Sequence, residues 1–299
     1  VPELPDITIY RESIVKSFRG APLRALRLPS PFVLRTVAPA PAAFVGRALQ
    51  DVRRLGKRLV LDFGDAHFAV IHLMIAGRLR RLNPGAPLPG RISQCAFDFE
   101  TATLLLTEAG TKRRASLHLV EGEAALAAHD PGGLEVFECT REAFCALLRA
   151  HDHTLKRALT DPHLLSGIGN SYSDEILHAA RLSPMRRTVH LEAAELDRLF
   201  DATRTVLTTW TERLRAETGD AFPEKVTAFR EGMAVHGRYN LPCPDCGAPV
   251  QRVVYAENEM NYCARCQNEG RLLADRALSK LLKKDWPRTL DALEAKRGR

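Results

Sequence analysis

Two cysteine pairs near the end of the chain, Cys243/Cys246 and Cys263/Cys266, form the pattern C-x2-C-x16-C-x2-C. This spacing constrains the fold more than any other feature, because four thiolates gathered on one ion close the intervening chain into a small module. Pro244 and Gly247 suit the tight turns of two knuckles, and the stretch between the pairs can form a β hairpin. Four thiolates fill a tetrahedral site and leave no open position, so one zinc ion there would be structural. Redox chemistry or chance pairing are the competing readings. Cys95, Cys139 and Cys145 sit among apolar neighbours and read as buried thiols. No basic segment followed by an apolar core opens the chain, and no run of about 18 apolar residues occurs. A soluble, cytoplasmic protein is expected, and a reducing compartment favours metal over disulfide for the paired cysteines.

The chain of 299 residues has room for two domains and a small third module. Its 45% hydrophobic content excludes disorder as the main state. Ile7, Tyr10, Ile14 and Phe18 recur at helical spacing, with Pro2 and Pro5 at the entrance and Gly20 at the stop. Strand patterns follow at Arg58–Phe63, Phe68–Leu79, Gln94–Glu100, Leu104–Leu106 and Leu117–Val120. After the turn Asp130-Pro131-Gly132-Gly133 the period becomes helical, at Arg141–Ala150, Leu155–Leu159, Ser171–Arg181 and Glu192–Glu217. Pro223–Tyr239 is a mixed connector, and Leu272–Leu282 patterns as an amphipathic helix before a charged tail. An α+β fold is expected: an N-terminal helix with an antiparallel β sandwich over residues 1–130, a helical domain over 131–240, a four-cysteine zinc finger over 241–270 and a basic C-terminal extension over 271–299.

Lys and Arg outnumber Asp and Glu by 43 to 36. The excess permits a polyanionic partner, and an ordinary basic surface equally. Ser166-Gly167-Ile168-Gly169-Asn170-Ser171-Tyr172 separates two helical stretches, and Ser171 with Asp174 resembles a capping box. Free N–H groups at that helix start, with the Asn170 amide, would hold a phosphate. An ordinary helix–helix turn fits the same residues. Gly56-Lys57-Arg58 begins an apolar strand, where a lysine is usually only solvated. Met74, in the strand Phe68–Leu79, is more often a core residue than a wedge. At the chain start, an α-amine titrates near pH 8, so a useful fraction is neutral and can attack an electrophilic carbon. A proline amine is secondary, so its product is a charged iminium that acts as an electron sink. Glu3 could relay a proton beside it. Plain capping of a helix by Pro and Glu explains the same two residues.

Taken in order, these elements resemble the formamidopyrimidine-DNA glycosylase/endonuclease VIII family of base-excision repair enzymes. The resemblance is carried by Pro2-Glu3-Leu4-Pro5, Gly56-Lys57, and Leu155-Lys156 with Asp161 leading into Gly167-Ile168-Gly169-Asn170. It continues through Asp174-Glu175-Ile176-Leu177, Val235-His236-Gly237-Arg238 and the cysteine pairs. The glycine turn is similar to that family's helix–two-turn–helix element. The resemblance implies a bifunctional glycosylase and AP lyase acting on oxidised bases in damaged double-stranded DNA, with the damaged nucleotide flipped out. The Pro2 amine would attack the sugar C1′ and displace the base, Glu3 would act as acid and base at the sugar, and β,δ-elimination from the iminium would nick the strand. Lys57 matches the family lysine near the lesion phosphate. Lys156 and Asn170 match residues that hold the DNA backbone. A monomer without membrane contact, associated with a bacterial-type nucleoid, is implied as well.

The chain departs from the family pattern in several places. Val1 precedes Pro2, and while it remains the Pro2 nitrogen is an amide; a GTG start codon written as valine would be made as methionine and removed, whereas a processed chain starting at Val1 could use the valine amine instead. Asn258 stands where the family has a phosphate-binding arginine, and it cannot supply that charge. The family's void-filling Arg-Phe loop is missing, and Glu108–Arg113 stands in its neighbourhood. In His72-Leu73-Met74-Ile75-Ala76-Gly77 the usual methionine position falls on Ile75, so Met74 or Ile75 is the expected wedge. The connector before Val235 is short, and the segment after Gln267 runs past the usual end. The alternative from another class is a catalytically silent, zinc-containing DNA- or RNA-binding protein. It would keep Lys156, Asn170 and the cysteine module.

Overall fold

The structure is a computed structural model that describes residues 2–224, 226–255, 258–274 and 276–297. It divides into two compact units, Val1–Gly133 with Thr209–Ala228, and Leu134–Thr208 with Phe229–Arg299.

The first unit opens with α1 (Leu4–Phe18), which buries Ile7, Tyr10, Ile14 and Phe18. Each such side chain contributes about 1.5–3 kcal/mol by leaving water. Eight strands follow: β1 (Leu23–Arg27), β2 (Asp51–Leu55), β3 (Arg58–Asp62), β4 (His67–His72), β5 (Gly77–Leu82), β6 (Ser93–Phe99), β7 (Thr103–Glu108) and β8 (Ser116–Glu121). They form two antiparallel four-stranded sheets, ordered β1-β6-β7-β5 and β2-β3-β4-β8. Leu59, Leu61, Ala69, Ile71, Leu117 and Leu119 of one sheet share a core with Leu79, Phe97, Phe99, Leu104 and Leu106 of the other. This is the expected sandwich, with α1 set into the same core. On the opposite face of the second sheet, Val60, Phe68, Val70 and Val120 are covered by Leu126 of α2 (Glu123–Ala127).

The expected single strand Phe68–Leu79 is two strands. The chain turns at Leu73–Ala76, where Met74 takes φ +53°. Gly77 closes this turn: a Cβ there would lie 2.2 Å from the Leu73 carbonyl oxygen. β1 and β2 lack an apolar alternation and carry Arg24, Arg27, Arg53 and Arg54, so they are legible only from their pairing.

In the second unit, α3 (Arg141–Ala150) is capped by Thr140, whose hydroxyl accepts the Ala143 N–H at 3.2 Å, and it buries Phe144 and Leu148. Cys145 on its flank and nearby Cys139 are therefore only half-buried, unlike the fully buried Cys95. Next come α4 (Leu155–Thr160), α5 (Asn170–Ala179) and α6 (Ala193–Thr218). Residues 209–228, within the expected helical segment, pack with the first unit. There Arg215 holds Glu12 with two hydrogen bonds at 2.8 and 2.9 Å, Arg78 donates to the Val226 carbonyl at 2.6 Å, and Phe222 meets Tyr10.

The antiparallel hairpin β9 (Gln251–Tyr255) and β10 (Asn258–Tyr262) lies between the cysteine pairs, as expected, and α7 (Ala264–Asn268) follows. The helix expected over Leu272–Leu282 begins only at α8 (Arg276–Leu282). Leu272 is instead tied across the chain, its N–H donating to Arg288 O at 2.8 Å. The extension returns in α9 (Leu290–Arg297), and Leu290 is buried among Val235, Cys243, Ala248, Val250 and Cys263. By packing, the cysteine module and the extension share one core.

Candidate functional site

At the start of α1, Pro2 and Glu3 are both buried. Glu3 is the N-cap residue: its carboxylate accepts the Asp6 N–H, while its own N–H donates to Asp6 Oδ2 at 2.9 Å. The reciprocal pair removes two orphan donors and fixes both carboxylates. The capping role and the candidate chemical role thus fall on one side chain. Val1 lies outside the described residues.

Lys57 occupies the two-residue turn between β2 and β3, after Gly56 at φ +59°. Glycine first in such a turn lets the strands keep their twist. The turn places half-buried Lys57 next to a patch of basic residues. Arg58 lies directly across from His72, and His118 across from Val70, so all three project from one face. The His118 and His129 rings are 4.6 Å apart. Burial, then Arg58 and Lys57, push His72 down to about 4; burial, then His129 and Arg58, do the same to His118. Both imidazoles are neutral at physiological pH, among fixed cations. Sequence reasoning missed this patch, because its members come from three strands and a loop.

Met74 and Ile75 sit at the tip of the β4–β5 turn, Met74 half-buried and Ile75 about half exposed (53%). The loop after β7 is pinned at its base by buried Glu108, which accepts the N–H groups of Arg114 and Ala115 at 2.9 and 3.0 Å.

In the second unit Lys156 is buried, at 4% exposure, so it presents no free ammonium. Its Nζ donates to Asn170 O at 2.7 Å, Ser173 Oγ at 2.8 Å and Asp174 Oδ1 at 2.5 Å. The other Asp174 oxygen meets His236 Nδ1 at 2.8 Å and accepts the Asn261 N–H at 3.1 Å. Glu175 accepts the backbone N–H groups of Ala234, Val235 and His236 at 2.7–2.9 Å. These two acids, one residue apart on α5, hold the Val235-His236-Gly237-Arg238 segment and the β10 strand. The Asn170 side chain donates to Glu259 O at 2.7 Å. Asn258 begins β10, and its side chain lies outside the described residues.

The four paired cysteines gather into one cluster, with every Sγ within 4.8 Å of the others. Cys243 and Cys266 Sγ atoms are 3.9 Å apart, and those of Cys246 and Cys263 are 3.4 Å apart. A tetrahedron with metal–sulfur bonds of about 2.3 Å has edges of about 3.8 Å, so the quartet fits a single ion. Cys266 N–H points at Cys263 Sγ at 3.4 Å, the backbone-to-sulfur contact of a knuckle. The quartet can hold a metal ion.

Residues 1–116 match the formamidopyrimidine-DNA glycosylase N-terminal domain, and residues 130–218 match the formamidopyrimidine-DNA glycosylase H2TH domain. A formamidopyrimidine-DNA glycosylase of Acidovorax sp. (strain JS42) is 32% identical over 275 residues, covering 89% of this chain and 99% of that protein. One from Salinispora arenicola is 32% identical over 297 residues, covering 91% and 98%. Among solved structures, MutM in complex with DNA containing carbocyclic 8-oxo-G superposes with a TM-score of 0.79 at 22% identity, covering 89% of this chain and all of that one. The Lactococcus lactis Fpg bound to abasic-site DNA gives 0.79 at 22% identity, covering 89% and 99%. No helix among the described residues is long and apolar enough to cross a membrane.

Proposed function

The chain belongs to the formamidopyrimidine-DNA glycosylase family, and from that premise we propose that it is a DNA-repair glycosylase with AP-lyase activity on damaged double-stranded DNA. The observation that carries this reading is the buried Pro2–Glu3 pair, locked in place by the reciprocal contact with Asp6. A nucleophile must be pre-positioned to gain from proximity, and a capped helix start anchored by Ile7 and Tyr10 provides that.

With Val1 removed, the neutral Pro2 amine attacks C1′ of the flipped nucleotide, and the C1′–N bond to the base breaks as the base leaves with its electron pair. The ammonium formed at Pro2 gives its proton to Glu3, and Glu3 passes it to the ring oxygen O4′ as the nitrogen lone pair breaks the C1′–O4′ bond and forms the iminium. The cationic iminium then acidifies the C2′ proton; its loss expels the 3′ phosphate, and a second elimination expels the 5′ phosphate. Lys57 and the adjoining basic patch bind the phosphates around the lesion. Lys156 acts one step back: it holds the Asn170 carbonyl and Asp174, and so shapes the turn whose N–H groups meet the DNA backbone. Met74 and Ile75 fill the gap left by the flipped base, as a turn tip rather than a strand. Asn258 hydrogen-bonds the backbone from the cysteine module, without the charge of an arginine.

The four cysteines would hold one structural zinc; its chemistry is to tie the two knuckles together, and no reaction step passes through it. The protein acts as a monomer in the cytoplasm, at the nucleoid.

Borohydride treatment of the mature protein with an abasic-site duplex tests the mechanism, with the N-terminus identified by mass spectrometry. A covalent adduct at Pro2 is expected. Glu3→Gln should cut strand cleavage about 100-fold or more while leaving duplex binding intact. No adduct from a protein that begins at Pro2 would instead favour a silent DNA-binding protein.

A further inference from the structure

We propose that His178 is an outer-shell positioning residue of the metal centre: its Nε2–H donates to the Cys243 thiolate and ties the metal's occupancy to helix α5. The inference rests on the four cysteines holding zinc. Helix α5 carries Asn170, Asp174 and His178 at intervals of four, which puts them on one face. Each meets the cysteine module. Asn170 donates to Glu259 O, Asp174 accepts the Asn261 N–H, and His178 Nε2 lies 3.2 Å from Cys243 Sγ.

The chemistry fixes the direction of the third contact. A metal-bound thiolate has no proton and only accepts, so Nε2 must carry the hydrogen. His178 is buried, and Asp245 Oδ2 is 4.0 Å from the same nitrogen, too far to take that hydrogen. Four thiolates on a dication leave a net charge of about −2 in a site that Leu290 and Val250 help to shield from water. A hydrogen bond to one sulfur spreads that charge and orients the ligand. When the metal leaves, the Cys243 sulfur is no longer held in place against Nε2. Helix α5 then loses one of its three anchors on the face that begins at Asn170.

The test uses the full chain with cobalt(II) in place of zinc. His178→Phe keeps a ring and removes the donor; His178→Gln keeps an N–H donor. His178→Phe should move the thiolate-to-cobalt charge-transfer band to lower energy and release metal at about ten-fold lower chelator concentration. His178→Gln should return both toward wild type. An unshifted band and unchanged release in a folded His178→Phe protein overturn the proposal. In unmutated protein loaded with cadmium-113, a slowly exchanging His178 Hε2 proton coupled to the metal is expected. Its absence would overturn the proposal even if the variants fail to fold. A chain that takes up no zinc or cobalt would instead remove the four-thiolate reading itself.

Discussion

Glu3 and Lys156 show how much a single side chain's role depends on its partners. At the sequence level Glu3 could be a cap or a catalyst, and the structure makes it the cap while leaving it beside Pro2. Lys156 looks like a DNA contact in the sequence, yet its ammonium is held by three oxygens inside its own unit. A lysine's charge is legible from its letter; its solvation is not. The neutral histidines make the same point and carry a pH prediction. His72 and His118 are held at about 4, whereas an unfolded imidazole protonates near pH 6.5. Between those values the unfolded chain binds more protons, so stability falls as pH falls; above about 6.5 both states are neutral and the contribution is flat. Replacing both residues with Gln should flatten this acid limb. The urea midpoint of the double variant is expected to change less between about pH 7 and pH 4.5 than that of the parent, and equal slopes would refute the assignment.

Elements with a strong period and a clear boundary were legible. α3 falls on the expected Arg141–Ala150 because its apolar positions sit four apart behind a threonine cap. α1 and the strands β3, β6, β7 and β8 follow from the same kind of pattern. The break between β4 and β5 was not legible. Leu73-Met74-Ile75-Ala76 contains no glycine, proline or asparagine, and it continues the apolar run without a stop signal. The turn depends on Gly77, the residue after it, where only a missing side chain lets the chain pass the Leu73 carbonyl. Gly77→Ala should therefore cost about 2 kcal/mol or more, read from chemical denaturation. The same variant should weaken the Met74–Ile75 tip, since the turn that projects it would shift.

For the molecule as a whole, the extension beyond the cysteine pairs proves to be part of a core rather than a loose tail. Leu290 is buried against Cys243 and Cys263, with Leu272 and Leu293 beside it. Leu290→Ala should destabilise the second unit by about 2–5 kcal/mol, measured by urea unfolding, and speed metal loss to a chelator. An unchanged midpoint would mean that the extension only rests on the module.

The sequence by itself determined the strongly periodic elements such as α1 and α3, the spacing by which four cysteines meet, and that an ordered set of motifs belongs to one family. Those properties follow from short repeats and fixed spacings, which a chain carries wherever it folds. Tertiary structure alone decided which charges are spent internally, where the apolar run turns, and that His178 reaches Cys243, 65 residues away. Contacts of that kind depend on which distant groups packing brings within hydrogen-bond range, and no local period encodes them.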